Sequence, residues 1–345
     1  MSKQRLVTLG EIMLRLKSPG FERFFQSPSL EATFGGGEAN VAVSLARFGI
    51  DAAFVTALPN NAIGEEALQQ LRKQGVDTSK IIRSGERLGI YFLEGGANQR
   101  PSKVVYDRAN SSISEAKSSD FNWDEVFKDA TFFHITGITP ALSETAAELS
   151  LDAVKEAKKR NITVSTDLNF RKKLWKYGKT APEVMSELTK YVDVIIANEE
   201  DCQKSLGVTI DSINVESGHL ETEHYKKLSA KVMEMYPNVK KVAITMRESL
   251  SATHNNWSAI INNGSDFFVS KKYEIKNIID RVGGGDSFAA GLIYGLMTYD
   301  NDKDALEYAV AASCLKHSVS GDMNLITKDE VVSLMGGDGS GRVQR

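Results

Sequence analysis

The chain has 345 residues, 41% of them hydrophobic, enough to bury a large core in one big α/β domain or two smaller ones. Its 42 basic and 45 acidic residues leave a formal charge of -3 with no long single-sign block, which argues against a nucleic-acid binder. No run of about 18 apolar residues occurs, and the start MSKQRLVTLGEIM lacks an apolar core of signal-peptide length, so a cytoplasmic protein without a membrane partner is expected.

In chain order, β-rich runs at residues 6–10, 52–56, 131–135, 163–167, 192–197 and 242–245 alternate with helical patterns at 39–48, 63–74, 144–159, 222–235 and 304–317. Gly49 and Gly75 stand where two of these helices should stop. The alternation predicts an α/β fold with a mostly parallel, doubly wound sheet. Two stretches break the rhythm. Residues 13–34 form one; the other is a hairpin of runs 88–94 and 103–108 joined by GGANQRP. They read as a small β element, either a lid over a cleft or a surface excursion. The final GGDGSGRVQR, residues 336–345, reads as a flexible tail beyond a single folded unit of residues 1–335. Cys202 and Cys314 lie in helical segments outside any CxxC pair and read as buried free thiols.

The strongest chemical signal is DRVGGGDSFAAGLIYGL, where Gly283, Gly284 and Gly285 lead into a helix that begins near Asp286. Successive glycines let backbone N–H groups converge, and the first helical turn adds unpaired donors and the positive end of its dipole, together a cradle for a phosphoryl group. Asp286 is then either a helix cap or a general base for an attacking hydroxyl. A carboxylate beside a phosphate cradle suffers like-charge repulsion, which favours the reading that gives it a task. The second cluster, FGGGEANVAVSLARFG, runs Gly35 to Gly37 into a helix carrying Asn40, a candidate polar ligand. A tight strand-to-helix connection is the alternative. No GxxxxGK[ST] occurs, and no GxGxxG opens a helix after a strand, which disfavours those nucleotide-binding classes. His134, His219, His224, His254 and His317 show no HxxxH spacing, so no zinc site is expected, and Trp175 and Trp257 read as packing or rim residues.

The two glycine motifs, one near each end of the chain, resemble the paired signatures of the PfkB, or ribokinase-like, carbohydrate kinase family. Within it, LGEIMLRL, VVYDRANSS, TDLNFRKKLW and LKHSVSGDMNL are most similar to the branch that phosphorylates 2-keto-3-deoxygluconate. The resemblance implies a central sheet flanked by helices, with a small β lid from residues 13–34 and 88–108 that closes over the sugar and often forms a homodimer contact. It implies substrate contacts at Gly35, Gly36, Asn40, Tyr91, Tyr106, Arg108 and Arg171, with an arginine fork suited to the acid's carboxylate. Gly283, Gly284 and Gly285 would form the anion hole and Asp286 the base. Asn169, Arg171, Asn198, Thr245 and Arg247 would border ATP, and Asn198 with Asp201 would organise Mg²⁺ through water. A monovalent cation is a further cofactor the resemblance admits.

Three departures from the family pattern stand out. Asp201 occupies the glutamate position of the NxxE element, Met246 to Glu248 replace a more open glycine-containing loop after Thr245, and Arg281 replaces a small residue. The expected reaction is ATP-dependent phosphorylation of the sugar acid's terminal hydroxyl. Another sugar kinase on the same scaffold, of fructokinase or ribokinase type, and a non-catalytic sugar or nucleotide sensor are the rival readings.

Overall fold

Along Arg5–Leu9, Leu6 enters one apolar cluster while Val7 and Leu9 enter another. The same alternation places Ala52, Phe132 and Val194 on the first face and Ala53, Phe133 and Ile195 on the second. A strand with apolar side chains on both faces needs helices on both, the condition that parallel sheets satisfy. The computed structural model describes residues 4–210 and 218–341, so residues 342–345 of the expected tail and the side chain of His219 lie outside it. Its large sheet runs Phe267–Val269, His254–Asn262, Lys241–Ser251, Val194–Ala197, Thr163–Asp167, Phe132–Thr136, Arg5–Leu9 and Asp51–Val55, with Tyr273–Ile275 also on His254–Asn262. From Lys241–Ser251 to Asp51–Val55 every pairing is parallel.

The strand expected at 242–245 continues to Ser251 and pairs antiparallel with His254–Asn262, so Arg247 lies opposite Trp257. What the sequence suggested as a loop after Thr245 is therefore strand. Residues beyond Met246 are mostly exposed and polar, and such an edge carries no hydrophobic period to read.

The two rhythm-breaking stretches come together. Glu31–Gly35, Met13–Lys17, Gly89–Glu94 and Lys103–Asp107 form a separate four-stranded sheet. Its central pairing, Met13–Lys17 with Gly89–Glu94, is parallel and joins segments far apart in sequence. Among the described residues no helix is long and apolar enough to cross a membrane.

Helix Gly284–Thr298, which carries Asp286 in its first turn, lies on Asp302–Lys316 with almost no gap. A Cβ on Gly291 would sit 2.7 Å from the Ala309 Cα, and one on Gly295 2.4 Å from the Ala305 Cα. Real side-chain atoms do not approach backbone this closely, so both helices would have to part. Gly295→Val is expected to destabilise the fold by about 1–3 kcal/mol, the usual cost of overpacking a filled core. Its urea midpoint checks this, and an unchanged midpoint would refute the tight contact.

Candidate active site

Both glycine motifs owe their glycines to close approach. A Cβ on Gly36 would lie 1.9 Å from the Glu11 carbonyl oxygen, and one on Gly35 would strike the Asp322 carboxylate at 2.1 Å. Strand Glu31–Gly35 thus turns into helix Gly37–Arg47 directly against two other segments. In the second motif Gly283 adopts φ +82°, and a Cβ there would lie 2.0 Å from the Asp322 carbonyl oxygen. Beside Gly284 stands the His317 ring, whereas nothing lies within 4 Å of a Cβ built on Gly285. The turn is thus walled on one side and open on the other, where the first N–H groups of helix Gly284–Thr298 have no helical carbonyl to reach.

Asp286 stands at this opening. Its Oδ2 accepts a hydrogen bond of 2.6 Å from the Asn40 amide, which joins the two motifs across 246 positions of sequence. Burial pushes the Asp286 carboxyl up to about 6, and nearby Asp322 adds to the rise, against the Asn40 hydrogen bond and the charges of Arg171 and Lys316. A carboxyl poised there is charged at neutral pH yet basic enough to accept a proton. The helix cap reading fails on geometry, since Gly283 is the residue at the N-cap and Asp286 lies inside the first turn.

Helix Gly37–Arg47 is itself anchored by Glu38, which is buried and accepts from Thr136 N (2.9 Å), Thr136 Oγ1 (2.9 Å) and Thr139 Oγ1 (2.7 Å). Burial outweighs these three bonds and pushes its carboxyl up to about 7.

A cleft of about 660 Å³ opens in front of Asp286, between the carboxyl ends of the parallel strands and the small sheet. On its small-sheet side lie Gly36, Asn40, Tyr91, Tyr106 and Arg108; on its large-sheet side lie Asn169, Arg171, Asn198, Thr245 and Arg247. Gly283, Gly285 and Asp286 stand between. Ligands in open α/β sheets collect outside the carboxyl ends of strands, so the cleft lies where the fold makes one.

Some expected residues are placed differently from a direct substrate contact. Gly35 and Gly284 are absent from the cleft wall, and Gly35 makes room for Asp322 instead. The Tyr91 hydroxyl donates to both oxygens of Asp322 at 2.6 Å, so its polar end is already taken. Arg108 is buried, with Nε and Nη2 both on Glu11, its Nε 2.8 Å from the carboxylate. Arg171 is exposed and bonds the Phe170 carbonyl, and its charge is felt by Asp167, Asp201 and Asp286. Arg281 donates to the Ser251 carbonyl and to Asn255, and its guanidinium falls below its ordinary range through burial and the neighbouring charge of Arg247.

Asp201 serves a capping box: its Oδ2 accepts from Asn198 N at 3.0 Å while Asn198 Oδ1 accepts from Asp201 N at 2.8 Å. Its other oxygen accepts from Phe170 N at 2.9 Å, pinning the two loops together. The shorter aspartate is therefore accounted for by helix capping. Among the described residues no group of three or more His, Cys, Asp or Glu could hold a metal ion. Magnesium, however, is usually bound by one or two carboxylates plus substrate phosphates and water, and the Asp167 and Asp201 carboxylates on the wall fit that pattern.

Several residues were not singled out from sequence. Asp167 is one: burial and the charges of Asp201 and Asp286 hold its carboxyl well above the usual range. Others form a network behind the glycine turn, where Arg15 is fully buried and bridges Asp280 and Asp322, with Lys316 beside them. Asp280 was visible only as the residue preceding the glycines, and Asp322 only as part of the SGDMNL segment. Nothing in a run of sequence marks Arg15 as their partner.

The cleft thus brings a buried carboxylate, an open glycine turn and several arginines to the carboxyl ends of a mostly parallel sheet. The chain belongs to the pfkB family of carbohydrate kinases, which it matches over residues 3–329. It is 49% identical to the solved structure of 2-dehydro-3-deoxygluconokinase from Thermotoga maritima, at a TM-score of 0.90 over 97% of this chain and 100% of that one. It is also 32% identical over 336 residues to 2-dehydro-3-deoxygalactonokinase of Haloferax volcanii, covering 97% of this chain and 98% of the relative. A third relative, 2-dehydro-3-deoxygluconokinase of Bacillus subtilis, is 26% identical over 333 residues, 95% of this chain and 94% of its own length.

If Asp286 must be unprotonated to act, kcat/KM should climb with pH through about 6 and then level, because only the carboxylate accepts a proton. A pH–rate profile measures this. Activity that is flat from roughly pH 5 to 8 would remove Asp286 as the titrating base.

Proposed function

We propose that the protein transfers the γ-phosphoryl group of ATP to the terminal hydroxyl of 2-keto-3-deoxygluconate, giving 2-keto-3-deoxy-6-phosphogluconate and ADP. The observation that carries this reading is Asp286 held by Asn40 at the open mouth of a glycine turn, where base and anion donors converge. The substrate hydroxyl gives its proton to Asp286 as its oxygen attacks the γ-phosphorus, and ADP leaves on the opposite side. Backbone N–H groups of the turn at Gly283 and Gly285 donate to the transferring phosphoryl oxygens, with Gly284, whose N–H rests on the Arg281 carbonyl, holding the turn between them. Positioning and charge stabilisation supply most of such catalysis, and the base adds about 10²–10⁴-fold.

The acid end of the substrate is read by arginine. Arg171 stands exposed on the cleft wall, and Arg108 sits on the small-sheet side with its Nε edge committed to Glu11. A guanidinium fork binds a carboxylate through two charge-assisted hydrogen bonds, which a neutral sugar does not require. Nucleotide lies against Asn169, Asn198, Thr245 and Arg247, with the cationic pair Arg247 and Arg281 facing its phosphates. Magnesium, when bound with the nucleotide, would neutralise phosphate oxygens near Asp167, and near Asn198 and Asp201 through water. Such a reaction belongs where ATP is abundant, in the cytoplasm.

The small sheet is read as a lid that also pairs two copies of the chain. Among the described residues its outer strand Lys103–Asp107 is an unpaired edge with Val105 51% and Tyr106 38% exposed, the kind of edge that natural proteins cover. Analytical ultracentrifugation should find a homodimer, and Val105→Lys should shift it toward monomer. A monomer in the unmodified protein would end that part of the reading.

ADP release should be assayed with ATP–Mg²⁺ against 2-keto-3-deoxygluconate, its galactonate epimer, fructose, ribose and gluconate. Turnover restricted to the keto-deoxy acids is expected, with Asp286→Asn lowering kcat by about 10²–10⁴-fold while ATP binding changes little. Turnover on a neutral sugar would move the assignment to another sugar kinase of this family. Ligand-dependent shifts in Tm without any ADP release would favour a sensor.

A further inference from the structure

Directly behind the glycine turn lies a buried charge network that the transfer reaction, as described, does not use. Arg15 is 1% exposed and reaches Asp322 through Nη1 and Asp280 through Nη2. Tyr91 donates to Asp322 as well, but as a neutral phenol. One guanidinium against two carboxylates would leave an uncompensated negative charge in the interior, which is costly by itself. It would also lie just beneath the place where a highly charged phosphoryl group must sit, and charges interact strongly where water is excluded.

Lys316 supplies the missing charge. It is the last residue of helix Asp302–Lys316 and is 0% exposed. Its Nζ lies 3.2 Å from the carbonyl oxygen of Asp280 and 3.3 Å from that of Val319. Both partners are acceptors; burial, with Arg15 beside it, lowers the ammonium's proton affinity below its ordinary value, while Asp280, Asp322 and Asp286 pull the other way and favour the charged form. The side chain also underlies the turn itself, since a Cβ built on Gly283 would be 3.3 Å from the Lys316 Cε. The Asp280 carboxylate meanwhile holds the turn's other shoulder, accepting from Val282 N at 3.1 Å.

We propose that Lys316 acts as a built-in monovalent cation of the transfer site. Its ammonium, seated among main-chain carbonyls, neutralises the Asp280–Asp322 pair and fixes the Gly283 turn, so phosphoryl transfer requires no added potassium or ammonium ion. A compact ammonium suits the narrow space between these two carbonyl oxygens, as a planar guanidinium does not. Lys316 is a positioning and charge-balancing residue that does not touch the reacting atoms. The inference rests on the kinase reading above and goes beyond it.

The test compares the unmodified protein with Lys316→Ala in the ADP-release assay, at constant ionic strength, with and without methylammonium. The unmodified rate should be indifferent to potassium, ammonium and methylammonium. Lys316→Ala should lose about ten- to a hundredfold in kcat, with both KM values within about threefold, because the charge acts on the transferring group more than on bound substrate. Methylammonium should restore a substantial part of that rate, whereas tetramethylammonium, too bulky for the vacated space, should not. If Lys316→Ala does not fold, Lys316→Met fills the same volume without the charge, and its kcat should fall by the same order.

Activation of the unmodified protein by potassium or ammonium would overturn the proposal whatever the variants do. So would an undiminished kcat in either variant, or methylammonium that restores Tm but not kcat, which would mark Lys316 as structural only. Absence of turnover by the unmodified protein on every sugar acid would instead defeat the kinase reading, and this inference with it.

Discussion

The site depends first on one buried guanidinium. Arg15 projects from the small sheet into the space behind the second glycine turn and grips Asp280 on one side and Asp322 on the other. Those three residues lie in segments separated by 265 and 307 positions along the chain. Removing one member of a buried pair leaves an uncompensated charge and typically costs about 3–5 kcal/mol, so the network strongly constrains how its segments meet. The Asp322 carboxylate crowds Gly35 and its carbonyl crowds Gly283, so one residue presses on both glycine motifs.

That crowding explains why glycine stands at these positions. At Gly35 and Gly36 the demand is for close approach, while at Gly283 a left-handed backbone adds to it. Once the segments are this close, Asn40 and Asp286 come within hydrogen-bond distance, and a carboxylate is held at the open side of the glycine turn. Packing and chemistry are thus parts of one arrangement. The same closeness removes water from Asp286 and lifts its proton affinity, which burial alone would carry further were it not for Asn40, Arg171 and Lys316.

Charge distribution then divides the cleft. The large-sheet side gathers Asp167 and Asp201 with Arg171 and Arg247, charges of both signs. Arg108, bound to Glu11, marks the opposite side, while the charge of Arg171 reaches Asp286 between them. Where the family pattern is broken the structure supplies a local reason: Asp201 closes a capping box, and Met246 to Glu248 continue a strand to which Arg281 is tied through Ser251 and Asn255.

Strand and helix alternation, the two glycine motifs and the candidate base Asp286 were all legible in the chain, because local periodicity and backbone freedom are properties of short segments. Helix Glu144–Lys159 and strand Thr163–Asp167 fall where their patterns put them. By contrast, the stretch of strand beyond Thr245 was hidden, since its exposed, mostly polar residues have no apolar period. That residues 13–34 and 88–108 make one sheet depended on a parallel pairing between distant segments. Only the tertiary structure decided that Tyr91 serves Asp322, that Glu11 holds Arg108, and that Arg15 and Lys316 balance two buried acids. Such partnerships are set by proximity and desolvation, which exist only after the chain has folded.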